Sequence, residues 1–534
     1  MFTLDQLNGA ILADIFSMIH DSSRHTLFSL LRVNGEVYHH TLPLIYQQCT
    51  FDFTQAVPSG ETNPFLITQK KLNKILEADS SSIVLRSVRK IVLRSNNAIW
   101  AGNSDDGYPY VPSENEVYDK WSSLVKFVSR ASHLKELVFD CRERVPLILL
   151  ETLQNFHPAC RLHVRNWTRL SSDTKVGDPY EEALARSPCL RSIHILSLTG
   201  GSELNLDEAA FQRILALSPH LESFTYLTQD VGRSCVRYDF GQTHRQEAPK
   251  FSEATVRKDM KTIRWGKSEP VYGSGSRGFL DRSMIEHWGA FMNFQTVQML
   301  DLGWVQDPEV LEYIMTRRTF EGVRDLSFKL VSITGLDSVS VEQRLRDAVN
   351  RFLSSFTRLE SLSIDNYHRR IDLGSLLASH GESLRSLSLR YIEEYRARPV
   401  LTLEDLHLIR TSASHLETLG IDINFTPKGK YESEAYEVLG SFHNLRTLNV
   451  YYNIKAVDET FGEEVYWKVA KTPASKLEEV NLYVQELPES PLGGRIVWMM
   501  DAIGHGPSQA QHRTFHMRRC ERDDMRHCLQ SDGV

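Results

Sequence analysis

One short pattern of apolar positions recurs along the chain: an apolar residue, two variable residues, an apolar residue, one variable residue and a final apolar residue. Its clearest copies lie in the second half and begin at Val323, Leu359, Leu384, Leu416, Leu445 and Leu477. The intervals between these starts average about 31 residues, a period that is typical of repeat architectures. Looser copies begin upstream at Val88, Leu134, Leu190, Leu221, Met260 and Val297.

The segments between these hexads change to helical periodicity. Apolar residues recur at helical spacing over 342–356, 403–412 and 461–471, which predicts amphipathic helices. One strand–helix unit cannot bury its own apolar face, so neighbouring units must stack. The repeat therefore predicts an α/β fold, a solenoid of strand–helix repeats with a curved parallel sheet over residues 82–485. Two hexads continue to Asn424 and Asn453, whose amides can satisfy backbone groups where the chain turns away from the strand.

The hexads resemble those of leucine-rich-repeat proteins with long, irregular repeats. The resemblance implies a concave sheet face that holds another protein. Because side chains alternate along a strand, the variable residues beside the buried ones face outward. One outward position per repeat gives the predicted target-binding set: Lys329, Asp365, Arg390, Asp422, Tyr451 and Tyr483. Aromatic residues and arginine carry most interface energy, so Arg390, Tyr451 and Tyr483 are the predicted hot spots.

The first 50 residues have a different pattern. Three short apolar runs, at 7–19, 27–33 and 37–45, have helical spacing and are separated by polar residues. Three short helices make a small core. The pattern predicts a helical module with apolar surface left for a partner or for the next domain.

This module resembles an F-box of the type common in fungal proteins. The residues that carry the resemblance are 7–19, 29–38 and 42–46. It implies docking onto the Skp-type adaptor of a cullin–RING ubiquitin ligase, with six expected contacts: Leu7, Ile11, Ile15, Leu30, Leu31 and Val33. The family usually opens with Leu-Pro-x-Glu, and here Leu7 is followed by Asn8, Gly9 and Ala10. The alternative is a plain N-terminal cap that covers the first repeat of the solenoid.

Other boundaries follow from composition. Residues 51–81 are expected to connect the helical module to the solenoid. Polar stretches near 95–118 and 230–283 are expected to be insertions. Residues 486–534 are expected to form a partly disordered tail.

Charge and cysteine content narrow the partners and the compartment. The net charge is −7, which gives no reason to expect nucleic acid. Seven cysteines in 534 residues suggest no disulfide framework,. The N-terminal apolar run is not preceded by basic residues, so we expect no secretory signal. The sequence contains no long uncharged apolar stretch, so we expect no membrane span. These features favour the cytoplasm or the nucleus.

Two segments contain residue types that could bind a cofactor or a metal ion. Gly273, Gly275 and Gly278 match the dinucleotide fingerprint, but Pro270 stands where a central strand should precede it,. The tail contains metal-capable residues in no common zinc spacing: His512, His516, Cys520, His527 and Cys528. We expect no catalytic residue, no cofactor and no metal.

The sequence therefore predicts a substrate receptor of a ubiquitin ligase, which is not itself an enzyme. Its helical module would bind the adaptor and its solenoid would bind an unknown target protein. A repeat scaffold with a degenerate F-box and no ligase role is the second hypothesis. A nucleotide-dependent enzyme that uses 273–278 is the third.

Overall fold

A computed structural model describes most of the chain in segments. These are 24–53, 64–77, 83–95, 114–141, 144–167, 179–199, 204–230, 257–267, 282–289, 291–305, 307–317, 320–330, 338–368, 370–392, 399–423, 430–454, 465, 468–469, 476–486 and 512–518. The chain divides into two compact units, with the boundary between Tyr226 and Asp259 apart from a short piece at 198–200.

Unit 1 alternates helices and strands after an opening helical pair. In chain order it contains α1 (Arg24–Leu30), α2 (Gly35–Ile45), β1 (Gln48–Asp52), α3 (Pro64–Glu77), α4 (Ile83–Ser87), β2 (Lys90–Ser95), α5 (Glu114–Arg130), β3 (Glu136–Cys141), α6 (Leu147–Phe156), β4 (Arg161–Trp167), α7 (Pro179–Arg186), β5 (Leu190–Thr199), α8 (Leu204–Leu217) and β6 (Ser223–Asp230), within which the unit ends. Strands β1 to β5 pair in sequence order and in parallel. Strand β6 follows β5 in the sheet.

Unit 2 repeats the same alternation. After β7 (Lys258–Asp259) at the boundary, it contains β8 (Thr262–Lys267), α9 (Arg282–Gly289), β9 (Met292–Asn293), β10 (Met299–Val305), α10 (Pro308–Arg317), β11 (Asp325–Leu330), α11 (Ser338–Ser354), β12 (Ser361–Asp365), α12 (Leu373–His380), β13 (Ser386–Arg390), α13 (Leu403–Ser412), β14 (Thr418–Ile423), α14 (Lys430–Gly440), β15 (Thr447–Ile454), β16 (Glu479–Glu486) and β17 (His512–Arg518). Strands β8 and β10 to β16 pair in sequence order, all parallel. This arrangement confirms the predicted α/β class and is compatible with a strand–helix repeat solenoid.

The core of unit 2 consists of in-register rows of hexad side chains. The fourth hexad positions pair from strand to strand, so their side chains lie side by side. This row consists of Leu300, Leu326, Leu362, Leu387, Leu419, Leu448 and Val480, each at most 2% exposed. Burying one such side chain contributes about 1.5–3 kcal/mol. Unit 1 has the same row in Ile91, Leu137 and Leu162, all fully buried.

Local sequence signals fix where the helices start. Thr402 and Asp405 form a capping box at the start of α13, in which each side chain accepts a hydrogen bond from the other residue's backbone N–H. Such caps satisfy backbone donors that have no partner in the first turn. The prediction of a helix over 403–412 is confirmed at both ends.

A different asparagine from those expected turns the chain after β12. Asn366 is fully buried and has a φ of 60°, a left-handed conformation that asparagine tolerates better than most residues. Its Nδ2 donates to the Leu330 carbonyl at 2.9 Å, and its Oδ1 accepts from the Ile392 N–H at 3.0 Å. It therefore ties together the ends of three adjacent strands. Asn453, by contrast, lies inside β15, and Asn424 lies outside the described residues.

Four regions contain more regular structure than the sequence indicated, including the second expected insertion, which contains β7 and β8. The expected connecting segment, 51–81, contains α3 and the end of β1. The expected tail contains β17, which pairs antiparallel with β16. An added antiparallel strand covers an edge that a parallel array otherwise leaves with unpaired backbone groups. Helix α5 begins at Glu114, within the stretch predicted as the first insertion.

Candidate protein-binding surfaces

The helical pair α1–α2 contains a small core of its own. Leu27, Val37 and Ile45 are buried, and the partly buried Leu30, Leu31 and Leu44 pack against them. Asn34 caps α2, because its Oδ1 accepts from the Val37 N–H at 2.8 Å. The cap fixes the turn between the two helices.

The expected adaptor contacts divide into three groups. Leu7, Ile11 and Ile15 lie outside the described residues. Leu30 and Leu31 are partly buried against the core of the helical pair. Val33, in the turn between the helices, is 53% exposed.

Two further apolar side chains on this pair are exposed and were not selected from the sequence. Phe28 is 49% exposed and Tyr38 is 39% exposed. Several exposed apolar side chains on one small helical pair are candidate contacts for a partner, whereas a single one is ordinary. The signal was present in the sequence, because Phe28 is adjacent to the core residue Leu27 and therefore points away from it on a helix. We call Phe28, Val33 and Tyr38 the apolar patch.

The second surface is the side of the unit 2 strands that does not face the hexad core. We call it the polar face. Its outermost row is in register from Trp304 through Lys329, Asp365 and Arg390. The row continues from Asp422 through Tyr451 to Tyr483 on the next three strands. The structure thus brings all six predicted target-binding residues into one row.

One half of this row is built around Asp365. Its Oδ2 lies 3.7 Å from Lys329 Nζ and its Oδ1 lies 4.0 Å from Arg390 Nε. Lys329 Nζ also lies 5.5 Å from the centre of the Trp304 ring. Electrostatic attraction to the carboxylate and to the ring therefore orients the lysine.

The other half is a stack of three planar groups. The Arg390 guanidinium lies 3.9 Å from the centre of the Tyr451 ring. The Tyr451 and Tyr483 rings are stacked at 4.6 Å with an angle of 12° between their planes. Burial raises the pKa of the Tyr451 hydroxyl to about 12, while Arg390 opposes that rise. Tyr451 is therefore a neutral hydroxyl at physiological pH.

The two aspartates in the row are not displayed as the sequence implied. Asp365 is 6% exposed and Asp422 is 2% exposed. Asp422 accepts a hydrogen bond from the Tyr391 N–H. Strand alternation places both on the polar face, but the long side chains of neighbouring strands cover them. The side chains of Lys329 and Arg390 remain 43% and 34% exposed.

Only some of the residues considered for cofactor or metal binding lie in the described segments. Residues 273–278, Cys520, His527 and Cys528 lie outside the described residues, and His512 and His516 lie in β17. Asp301, an acidic residue downstream of 273–278, accepts a hydrogen bond at 2.9 Å from the Gly303 N–H of its own strand. Burial raises the pKa of Asp301.

No protein-family model and no curated protein sequence matches the chain. In the part of the chain that the structure describes, no helix has the length and apolar character needed to cross a bilayer. The same described residues include no group of three or more His, Cys, Asp or Glu side chains arranged to hold a metal ion.

Proposed function

We propose that the chain is the substrate receptor of a cullin–RING ubiquitin ligase. The apolar patch docks onto a Skp-type adaptor, and the polar face holds the target protein. Catalysis resides in the partners, so the chain contributes placement rather than an acid, a base or a nucleophile.

The observation that carries this proposal is the apolar patch. Its three side chains lie on a small helical pair that directly precedes a parallel strand–helix array. A plain cap would place its apolar side chains against the array that it covers. The exposed Val33, in contrast, coincides with one of the contacts that the F-box resemblance implies.

Adaptor binding by the full chain tests the proposal. Val33→Asp replaces the most exposed side chain of the patch by a charged one and should weaken binding to a Skp-type adaptor about tenfold or more, as expected for an interface hot spot,. Phe156→Asp is the matched control, because Phe156 is 60% exposed on α6, away from the patch. Binding would be measured by titration calorimetry, after circular dichroism shows that each variant is folded.

Two results would remove the ligase assignment. One is a folded full chain that does not bind the adaptor. The other is equal loss of binding in Val33→Asp and Phe156→Asp. Either result favours a repeat scaffold with no ligase role, which needs only the polar face.

A further inference from the structure

The two cations in the outermost row of the polar face, Lys329 and Arg390, have no hydrogen-bond acceptor among the described residues. Lys329 Nζ is 3.7 Å and Arg390 Nε is 4.0 Å from the Asp365 carboxylate, and both distances exceed those of a hydrogen bond. The Arg390 Nε–H is also buried without a partner. Aromatic rings and a nearby charge hold both side chains while their N–H groups stay uncommitted.

Other exposed arginines of unit 2 are different. Arg385 lies 2.7 Å from Glu417, Arg446 lies 3.0 Å from Glu478, and Arg351 lies 2.8 Å from Glu312. Each of these distances is short enough for a charge-assisted hydrogen bond. Lys329 and Arg390 are therefore distinguished from these arginines by their unused donors.

Neutral donors surround the two cations. Ser363 and Ser388 occupy the adjacent row of the polar face on β12 and β13, in register with each other. The hydroxyls of Ser363, Ser388, Tyr451 and Tyr483 make no hydrogen bond within the described part of the chain. The carboxylates of the same row, Asp365 and Asp422, are buried. The outermost row of the polar face thus exposes donors and covers its charged acceptors.

We propose that the polar face of unit 2 binds a carboxylate-rich segment of the target protein, with Lys329 and Arg390 donating to its Asp or Glu side chains. This inference rests on the proposed function and specifies the chemistry of the target. Arginine pairs carboxylates through two parallel hydrogen bonds. The serine and tyrosine hydroxyls supply additional donors to the same segment.

The buried aspartates determine how this surface selects its ligand. The outermost row contains two aspartates and two cations, so this row has no formal net charge to attract a ligand from a distance. Recognition depends instead on short hydrogen bonds made after contact. Asp365 also lies beneath the place where the ligand's carboxylate would sit. Its charge therefore opposes binding, even though it orients the cations.

The test titrates the full chain with fluorescently labelled octaglutamate, and with octaglutamine and octalysine as matched peptides. We expect binding of octaglutamate only. The double variant Lys329→Gln/Arg390→Gln should weaken it about tenfold or more, because two hydrogen bonds to charged groups are lost. The control Arg351→Gln/Arg385→Gln removes the same net charge from arginines already paired with glutamates, and should change affinity less than about twofold.

Asp365→Asn should strengthen binding of octaglutamate, a result that misfolding cannot produce. It removes the opposing charge, so octaglutamate should bind about threefold to tenfold more tightly. Weaker binding by Asp365→Asn would overturn the inference. So would equal affinity for octaglutamine, or an equal loss in the control double variant.

Failure of this inference and failure of the proposed function are distinguishable. A chain that binds the adaptor and captures a target, but not octaglutamate, refutes the carboxylate assignment alone. A chain that binds octaglutamate through Lys329 and Arg390, but no adaptor, supports the assignment and removes the ligase role.

Discussion

The two units have the same strand–helix construction, but the residues on the side of the strands that faces away from the hexad core differ. In unit 1 several polar groups of the outward strand face contact one another. Lys90 lies 2.7 Å from Glu136, and Asn166 donates to Asp140 at 2.6 Å. In the middle of this face Val92 and Val138 are 5% and 2% exposed, and the next two residues of the row, His163 and Ser192, share a hydrogen bond of 2.7 Å. In unit 2 every residue of the middle row from β10 to β16 is polar except Gly420, and Lys329 and Arg390 of the outer row have unused donors.

This difference teaches that the fold and the recognition surface are specified by different positions. The inward hexad residues are equivalent in the two units and determine the fold. The outward residues determine whether polar groups satisfy one another or remain available to a partner. A repeat protein can therefore keep one core pattern while the chemistry of its outward face changes from one region to the next.

The largest expected effect tests whether the two cores are equivalent. Leu387→Ala in unit 2 and Leu137→Ala in unit 1 each remove a fully buried side chain flanked by in-register apolar neighbours. Each should lower the free energy of unfolding by about 2–5 kcal/mol, measured by urea denaturation with a fluorescence probe in each unit. A loss confined to one of the two variants would show that the cores are not built alike.

The next effect concerns the two asparagines with positive φ. Asn366→Ala leaves the Leu330 carbonyl and the Ile392 N–H without their partner, at a cost of about 1–3 kcal/mol for each buried group. Asn166→Ala in unit 1 removes only one side-chain bond, to Asp140, and should cost less. Thermal unfolding of both variants checks the order. The reverse order would contradict the assignment of Asn366 as the tie between strands.

The loss of folding stability at high pH should depend on unit 2. An unfolded tyrosine ionises near pH 10, and burial raises the pKa of Tyr451 to about 12. Between these values the unfolded state releases its proton first, so stability falls as pH rises from about 10 and the contribution is lost above about 12. The fall in the unfolding temperature over this window should be smaller in Tyr451→Phe. An identical fall in wild type and variant would show that Tyr451 is not the group responsible.

The loss of folding stability at low pH should depend on unit 1, with a smaller effect. Burial lowers the pKa of His163 below its usual 6.5, while Glu136 opposes that shift. The unfolded state then binds the proton first, so stability falls as pH drops below 6.5. His163→Gln should reduce the fall, as measured by unfolding temperature between pH 7 and pH 5. A steeper fall in the variant would mean that the His163 pKa is raised rather than lowered.

Much of this fold could be predicted because the hexads encode it directly. Leu387 and Leu419 recur at a fixed place in each unit, and the period-two alternation of a strand determines which side they take. The same alternation placed Lys329, Arg390 and Tyr451 correctly in one outward row. The box formed by Thr402 and Asp405 marked the start of its helix in the same local way.

The properties that escaped prediction depend on neighbours distant in sequence. Alternation places Asp365 outward, but its burial depends on the side chains of Lys329 and Arg390 from adjacent strands. Asn366 acts through contacts to Leu330 and Ile392, 36 and 26 residues away. The pairing of β17 with β16 likewise joins segments that are separate in sequence. None of these contacts leaves a periodic signal.

Target capture by matched variants of the two units tests the central claim most directly. Lys329→Gln/Arg390→Gln changes the outer row of unit 2. Arg94→Gln/Arg165→Gln changes two cations of the corresponding row of unit 1, in register with Asp140. Each full-length variant would be used to capture proteins from cells with blocked proteasome activity, and adaptor and targets would be quantified by mass spectrometry. The unit 2 variant should lose the targets and keep the adaptor, while the unit 1 variant keeps both. Retention of all targets by the unit 2 variant, or their loss in the unit 1 variant, would contradict the account.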